Sequence, residues 1–329
     1  MSGGAIAKLF HRVVLASGLA ILAAAPVQAA DYPVRQIRII VGFAPGGAVD
    51  ILARIIAGKM GERYNQQAFV ENRPGANANL AADTVARAAP DGYTLLMITS
   101  SHVISAALKQ KVNFDPIKSF APIAKVAVVP NVILVNPTLN VTTLPDFIKL
   151  LKANPPGKFN FASTGVGGAT HLAGESFKLA AGVDLTHIPY QGAGPALTAL
   201  MAGDVHAYFG SVSGAQAYVT SGQMRALAIP SQTRSSAMPN VPTTVEAGLP
   251  DYQYDTWYGM LAPAGTPAEI TEKLAVEFKE IMALPDVKPR LEALGAEISV
   301  QGPATFGAFM SDEIARLSVV AKKAGLDSH

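Results

Sequence analysis

The stretch IRIIVGFAPGGAVDILARII, residues 37–56, contains the pattern on which the fold prediction rests. Its first five residues, 37–41, are mostly β-branched and apolar, which is typical of a buried strand. Residues 42–47 form a glycine-rich segment, and apolar residues then recur at helical spacing over residues 50–60. The stretch therefore predicts a strand, a glycine-rich loop and a helix in succession.

The same alternation of short apolar runs and amphipathic segments continues along the chain. Further strands are predicted at residues 68–70, 93–99, 132–135, 159–162, 185–188, 205–209, 226–229 and 257–262. Further helices are predicted at residues 79–88, 144–153, 170–181, 193–201, 267–284 and 303–324, and a long proline-rich connection at 239–250. This alternation predicts α/β layers around mainly parallel sheets, and 329 residues are enough for two domains.

The first thirty residues differ in composition from the rest. Lys8 and Arg12 give a basic start, residues 13–24 are apolar, and residues 25–30 read APVQAA. The apolar run is shorter than the ~20 residues of a membrane span, so the layout predicts a secretory signal peptide rather than a transmembrane anchor. We assign it to residues 1–29, with the cut after Ala29 or Ala30. The 26 Lys and Arg residues less these two then equal the 24 Asp and Glu residues.

The loop before the first helix has the chemistry of an anion site. Glycines allow close approach to a ligand, and the first turn of a helix offers unpaired amides at the positive end of its dipole. Asp50 is either an N-cap that accepts hydrogen bonds from those amides or an acceptor for an amino or hydroxyl group of the ligand. Ala48 and Val49 stand where a phosphate-binding loop has Lys and Ser or Thr, which excludes a nucleoside triphosphate.

A second loop of this kind, ASTGVGGATH, spans residues 162–171. Ser163, Thr164 and Thr170 add hydroxyl donors to its backbone amides. Gly165 begins a dinucleotide-binding pattern, but Thr170 replaces its third glycine, so cofactor binding is not predicted. His171 either donates to a ligand oxygen or is a packed residue of the first helical turn.

Two shorter segments also follow predicted strands. Ser100 and Ser101 come at the end of strand 93–99, where open α/β sheets bind ligands; the alternative is an exposed cap of the next helix. Tyr190 and Gln191 lie in the turn PYQGAGP, residues 189–195, and either line a cleft or, for Tyr190, pack between domains.

Several function classes are excluded or disfavoured by the sequence. The chain has no cysteine, hence no disulfide, no thiol catalysis and no Cys-ligated metal. No zinc-binding helix or nucleophile elbow is present, and the histidines lack metal-ligand spacing, so neither a metal nor a cofactor is predicted. Balanced charge argues against nucleic acid. A Ser–His–Asp triad formed in space, at Ser163 or Ser101, stays open as a hydrolase alternative.

Taken together, the segments resemble the Bug family, the extracytoplasmic solute receptors of tripartite tricarboxylate transporters. The resemblance rests on strings that occur in one order over nearly the whole chain after residue 30. These are YP at 32–33, PGGAVD at 45–50, ENRPGA at 71–76, APDGYT at 89–94, STG at 163–165, HLAGE at 171–175, PYQG at 189–192, VPT at 241–243 and APAGTP at 262–267. After Gly75-Ala76 the family usually continues with glycines, whereas Asn77 and Ala78 stand here.

The resemblance implies a type II periplasmic-binding-protein fold, in which two α/β lobes joined by two crossing strands close on a ligand. Residues 30–130 plus 256–329 would form the first lobe and residues 131–255 the second, with crossings at 132–135 and 257–261. The loops at 43–50 and 163–170 would face each other and hold a carboxylate through backbone groups and bridging waters. The predicted ligand-binding residues are Phe43, Pro45, Gly46, Gly47, Ala48, Asp50, Ser100, Ser101, Ser163, Thr164, Gly165, Gly167, Thr170, His171, Tyr190 and Gln191.

The function implied is capture of a small organic carboxylate in the periplasm for the membrane subunits of such a transporter, by a monomer without catalytic activity. Dicarboxylates, tricarboxylates, aromatic acids and acidic amino acids all fit this expectation. The alternatives are a receptor that presents its ligand to a membrane histidine kinase, and a secreted serine hydrolase.

Overall fold

The computed structural model describes residues 32–326, and the predicted signal peptide lies outside them. The strands are β1 (Ile37–Val41), β2 (Ala68–Asn72), β3 (Thr94–Thr99), β4 (Phe120–Val129), β5 (Asn131–Val135), β6 (Asn160–Ser163), β7 (Thr186–Pro189), β8 (Ala207–Ser211), β9 (Arg225–Ala228), β10 (Thr256–Pro263) and β11 (Glu297–Gln301). The helices are α1 (Ala48–Tyr64), α2 (Asn79–Ala86), α3 (Ser101–Ala107), α4 (Leu144–Lys152), α5 (Ala169–Ala181), α6 (Ala193–Ala202), α7 (Val212–Thr220), α8 (Ala268–Met282), α9 (Lys288–Glu292) and α10 (Pro303–Lys323).

The strands form two separate mixed sheets. The first has the order β11-β4-β10-β3-β1-β2, and the second has the order β7-β6-β8-β5-β9. In the first sheet β1 runs parallel to β2 and β3, whereas β10 and β11 pair antiparallel. In the second, β6 is parallel to β7 and β8, and β5 is antiparallel to β8 and β9. The sheets are therefore less parallel than predicted, because β5 and β10, next to the points where the chain changes sheet, run against their neighbours.

The chain passes between the sheets at two places that differ from the predicted ones. It enters the second sheet at Pro130, between β4 and β5, and it returns in the connection between β9 and β10. Residues 132–135 lie wholly inside the second sheet, and residues 257–261 lie inside the first. The strand before Pro130, β4, was not predicted, because Pro122 and Lys125 interrupt its apolar pattern. Strand β11 was missed as well.

Each sheet is packed by an aromatic core. Trp257 on β10 makes edge contacts with Phe306 and Phe309 of α10. In the second sheet, Phe177 of α5 packs against Phe209 of β8 with a ring separation of 5.2 Å. The side chains of Trp257, Phe306, Phe177 and Phe209 are at most 1% exposed, so burial of apolar area fixes these helices on the sheets.

The loop before α2 carries backbone strain. Ala76, Asn77 and Ala78 have φ values of 46°, 54° and 71°, in the left-handed region that costs a residue with a Cβ about 1–2 kcal/mol. Ala78 packs directly on Gly42, where an added Cβ would lie 2.3 Å from the Ala78 Cβ. This is the loop in which the sequence departs from the glycines of the Bug pattern.

The substitution Ala78→Gly should therefore stabilise the protein. We expect the free energy of unfolding to rise by roughly 0.5–1 kcal/mol, because relief of the left-handed strain exceeds the extra chain entropy of glycine. Urea unfolding followed by circular dichroism measures it. The control Ala315→Gly, at an exposed position in the interior of helix α10, should lose about 1 kcal/mol. If both variants lose stability equally, the left-handed backbone at residue 78 is not a source of strain.

Candidate functional site

A cavity of about 430 Å³ lies where the two sheets meet. Strands β1, β3 and β6 end at it, and β10 begins beside it because β10 is antiparallel to β3, with Tyr258 opposite Thr99. It is lined by Phe43, Gly47, Ala48, Val49, Asn77, Thr99, Ser100, Ser101, Ile104, Thr164, Gly167, Gly168, Ala169, Thr256 and Tyr258. Its volume is that of a pocket for a small molecule.

The first loop is held by a side chain four residues further on. Gly46 takes a left-handed φ of 89°, and its amide donates to Asp50 Oδ2 at 2.9 Å. Helix α1 then begins at Ala48 with Gly47 as N-cap, and no side chain bonds its first-turn amides. Of the two alternatives predicted for Asp50, the N-cap is therefore wrong: Asp50 lies inside the first turn and reaches back to the loop.

Asp50 belongs to a buried network of hydrogen bonds with other groups of the protein. It is 2% exposed, and it accepts from Arg54 Nε at 2.9 Å and from Asn72 Nδ2 at 2.8 Å. Asn72 Nδ2 also donates to the carbonyl of Phe43 at 3.0 Å. Burial by itself raises the pKa of Asp50, but the hydrogen bonds from Arg54, Gly46 and Asn72 outweigh it and hold the pKa below its usual value. Asp50 thus keeps the loop in place as a paired carboxylate.

The second loop repeats this geometry with a histidine. Gly167 has a φ of 71°, and its amide donates to His171 Nδ1 at 3.0 Å. Helix α5 begins at Ala169 with Gly168 as N-cap, again without a capping side chain. Because Nδ1 accepts this bond, His171 is neutral and its proton is assigned to Nε2. His171 is buried and therefore positions the loop, which is the packed alternative of the two predicted for it.

Behind the second loop two histidines are stacked. The rings of His171 and His187 are 3.5 Å apart and nearly parallel, and His187 Nε2 lies 2.6 Å from Ser163 Oγ. Burial lowers the pKa of both to about 4, helped at His171 by His187 and then Lys178, and at His187 by Lys178. The Ser163 side chain is fully buried and accepts from the Gly165 amide, so this Ser–His pair faces the core and not the cavity.

Hydroxyl and amide groups supply the polar part of the cavity wall. Thr164 and Thr170 bond each other through their hydroxyls at 2.9 Å, and the Thr164 amide donates to Thr170 Oγ1. On the other side, Ser101 Oγ lies 2.8 Å from Thr99 Oγ1, and Asn77 Nδ2 donates to Ser105 Oγ at 3.2 Å. No Lys or Arg lines this cavity, so the groups there that can bind an anion are backbone amides and hydroxyls.

The cavity brings together only part of the predicted set. Seven predicted residues line it, and they are Phe43, Gly47, Ala48, Ser100, Ser101, Thr164 and Gly167. Nine others do not, and they are Pro45, Gly46, Asp50, Ser163, Gly165, Thr170, His171, Tyr190 and Gln191. Pro45 and Gly46 form the exposed tip of the first loop, and Tyr190 packs partly on the core of the second sheet.

Eight lining residues were not predicted, namely Val49, Asn77, Thr99, Ile104, Gly168, Ala169, Thr256 and Tyr258. Three of them, Val49, Gly168 and Ala169, lie next to predicted residues at the N-termini of α1 and α5. The helix starts recognised in the sequence would have been enough to include them. Thr256 and Tyr258 come from a strand more than 80 residues downstream of Ser163 and Thr164, and only the antiparallel pairing of β10 with β3 brings them here.

Within residues 32–326, no group of three or more His, Asp or Glu residues is placed to hold a metal ion. None of the helices described is long and apolar enough to cross a membrane.

Acid should destabilise the protein through the stacked histidines. The unfolded chain takes up protons below pH ~6.5, whereas the folded pair resists until about pH 4, so stability present at pH 7 is lost as the pH falls through this window. We expect a loss of roughly 2 kcal/mol from the pair, discounted because His187 is partly exposed. Urea unfolding at pH 7 and pH 4.5 measures it.

The variant His187→Gln separates this pair from other acid-sensitive groups. Its stability should fall less between the two pH values than that of the unaltered protein, since it leaves one imidazole without the stacked neighbour. Equal losses in both proteins would show that the pair does not titrate in this range.

Comparison with known proteins identifies the family. The pattern of the family described as "Tripartite tricarboxylate transporter family receptor" matches residues 52–326. Protein BugT of Bordetella pertussis is 36% identical over 304 residues, which cover 92% of this chain and 93% of BugT.

Two solved structures illustrate the likeness in three dimensions. A TctC solute-binding protein from Polaromonas, solved with no ligand, is 28% identical, with a TM-score of 0.81 over 89% of this chain and 99% of that one. MatC from Rhodopseudomonas palustris, solved with bound malate, is 33% identical, with a TM-score of 0.68 over 88% and 99%. The predicted periplasmic-binding-protein fold is thereby confirmed, and the chain belongs to the tripartite tricarboxylate transporter receptor family.

Proposed function

We propose that this chain captures a small organic carboxylate in the cavity between its two sheets, and that the ligand is a dicarboxylate of the size of malate. The observation that carries the proposal is the pair of helix starts, at Ala48 and Ala169, which border one cavity without capping side chains. Each helix start offers free amide hydrogens and the positive end of a helix dipole to an anion.

The rest of the wall suits a carboxylate ligand. Ser100, Ser101 and Thr164 provide hydroxyl groups on both sides of the cavity, and Tyr258 and Thr256 close it along β10. Contacts through bridging water are nearly as favourable as direct ones, so the wide cavity accommodates ligands of different length. The binding of malate by MatC, a relative of the same fold, supports this ligand class.

Closure of the two lobes completes the proposed cycle. A ligand that contacts α1 and α5 together stabilises the closed form to the extent that it binds that form better. The closed form would then deliver the carboxylate to the membrane subunits of a tripartite transporter.

The finer parts of the proposal rest on the same observations. We assign residues 30–130 with 256–329 to one lobe and residues 131–255 to the other, a division that the two sheets support within residues 32–326. The chain is exported, loses residues 1–29 and acts as a periplasmic monomer. It has no catalysis of its own, a view supported by the burial of the Ser163 hydroxyl against His187.

Malate or a related acid should raise the melting temperature. With ligand at a hundred times its Kd, the free energy of unfolding rises by about 2.7 kcal/mol, which corresponds to a shift of roughly 4 °C for a chain of this length. A thermal-shift screen of dicarboxylic, tricarboxylic, aromatic and acidic amino acids measures this, with malamide as the uncharged match for malate. A panel without a single stabilising acid would refute the proposal.

Proline substitutions can remove the proposed amide donors one at a time. Ala48→Pro and Ala169→Pro each delete one N–H at the first helical position, where proline is tolerated. Each should weaken the Kd of the acid found in the screen by about tenfold or more, since a hydrogen bond to a charged group contributes ~1.5–3 kcal/mol. Isothermal titration calorimetry measures the change.

The matched control is Ala268→Pro, at the first position of α8, which does not line the cavity. It should leave the affinity unchanged. If all three variants bind equally well, the helix starts do not hold the carboxylate, whichever acid is the ligand.

A further inference from the structure

A second cavity, of about 590 Å³, lies on the opposite face of β10. Side chains alternate along a strand, so Thr256 and Tyr258 line the first cavity while Trp257 borders the second one. Asp255, the residue just before β10, also borders the second cavity. We call it the rear cavity. Its wall comes from β4, β11, α10 and the connection before β10, and it shares no lining residue with the first cavity.

The rear cavity contains a buried lysine without a salt-bridge partner. Lys125 is 7% exposed, and no carboxylate in residues 32–326 lies within salt-bridge distance of it. Its ammonium group rests over the ring of Phe309 at 4.5 Å. A buried ammonium group without a paired anion is strongly unfavourable, and burial lowers the pKa of Lys125.

The same cavity also contains a buried carboxyl group, that of Asp255, which likewise lacks a salt-bridge partner. Asp255 accepts one backbone hydrogen bond, from Asn131, but its Oδ1 atom is buried without a partner. Burial raises the pKa of Asp255 to about 7, although the nearby Lys125 opposes the rise. Lys125 and Asp255 therefore feel each other's charge without forming a direct pair.

Neutral polar groups beside these two residues also lack hydrogen-bond partners. Trp257 Nε1, a donor, and Gln301 Oε1, an acceptor, are both buried and without a partner. The neighbouring ions, in contrast, satisfy each other, since Arg316 donates to both carboxylate oxygens of Glu313 at 2.9 and 3.1 Å. The wall is thus left with donors on Lys125 and Trp257, with acceptors on Asp255 and Gln301, and with the Tyr254 hydroxyl, which can act as either.

We propose that the rear cavity binds a small zwitterion of the α-amino acid type, its carboxylate on Lys125 and the Trp257 indole N–H, its ammonium group on Asp255 and Gln301. A zwitterion supplies both missing charges at once and leaves the cavity's net charge unchanged. A lone anion or a lone cation would pair with one of the two buried charges. The other charge would stay buried without a partner, which is unfavourable. This inference does not depend on which acid occupies the first cavity.

The single tryptophan of the chain gives a specific reporter. In ¹⁵N-labelled protein, the indole N–H of Trp257 gives one resonance. We expect a saturable shift of this resonance with glycine or L-alanine up to about 10 mM, enough to occupy a site of millimolar Kd. Ethylamine and acetate, which each match one end of glycine, should produce no saturable shift.

Two variants test the assigned contacts. Lys125→Met keeps the length of the side chain without its charge, and Asp255→Asn removes the opposite charge; each should weaken glycine binding at least tenfold. Both variants should retain the affinity of the acid found in the thermal screen, because neither residue lines the first cavity. That retained affinity also shows that the variants are folded.

Three results would overturn the proposal. An indole resonance unmoved by glycine and L-alanine would mean that the rear cavity holds water only. Equal shifts with ethylamine or acetate would mean that the site does not recognise a zwitterion. A glycine response kept in Lys125→Met but lost in Ala48→Pro would place the amino acid in the first cavity.

Discussion

Two hydrogen bonds, from the Gly46 amide to Asp50 and from the Gly167 amide to His171, determine the shape of the candidate site. Each joins a left-handed glycine to the side chain four residues ahead, inside the first turn of a helix. The side chain is thereby occupied with the loop and does not cap the helix. The amides of the first turn stay free, and the N-terminus of the helix is turned toward the cavity with its positive potential intact.

The two halves use the same five-residue arrangement, Gly-Gly-Ala followed by one variable residue and the acceptor, but with different acceptors. Asp50 is paired with Arg54 and held in its charged form, so acid affects its bond late. His171 accepts through an uncharged nitrogen and loses that bond when it is protonated. The second loop therefore depends on a neutral imidazole, and the stacked ring of His187 helps to keep His171 neutral by lowering its pKa.

Strand β10 links the two cavities. Its alternating side chains reach the first cavity on one face and the rear cavity on the other, and it lies between β4 and β3 close to both crossings. The strained loop at Ala76 to Ala78 borders the first cavity through Asn77, so strain is stored beside the site, as is frequent in binding proteins.

The sequence alone determined the elements that are local in the chain. The strand, glycine loop and helix at residues 37–56 and the matching loop at 162–171 follow from periodicity and from the conformational freedom of glycine, which act over a few residues. It also supplied Ala48, Ser100, Thr164 and Gly167 as site residues, because they follow strands or begin helices.

Tertiary structure decided everything that depends on pairing between distant segments. Thr256 and Tyr258 enter the site only because β10 lies antiparallel to β3, and no local pattern encodes that register. The burial that makes Asp50 and His171 positioning residues, and that leaves Lys125 and Asp255 unpaired, likewise arises from packing. A side chain's role as ligand contact or support is fixed by which groups surround it in space, and the linear sequence specifies those neighbours only through the completed fold.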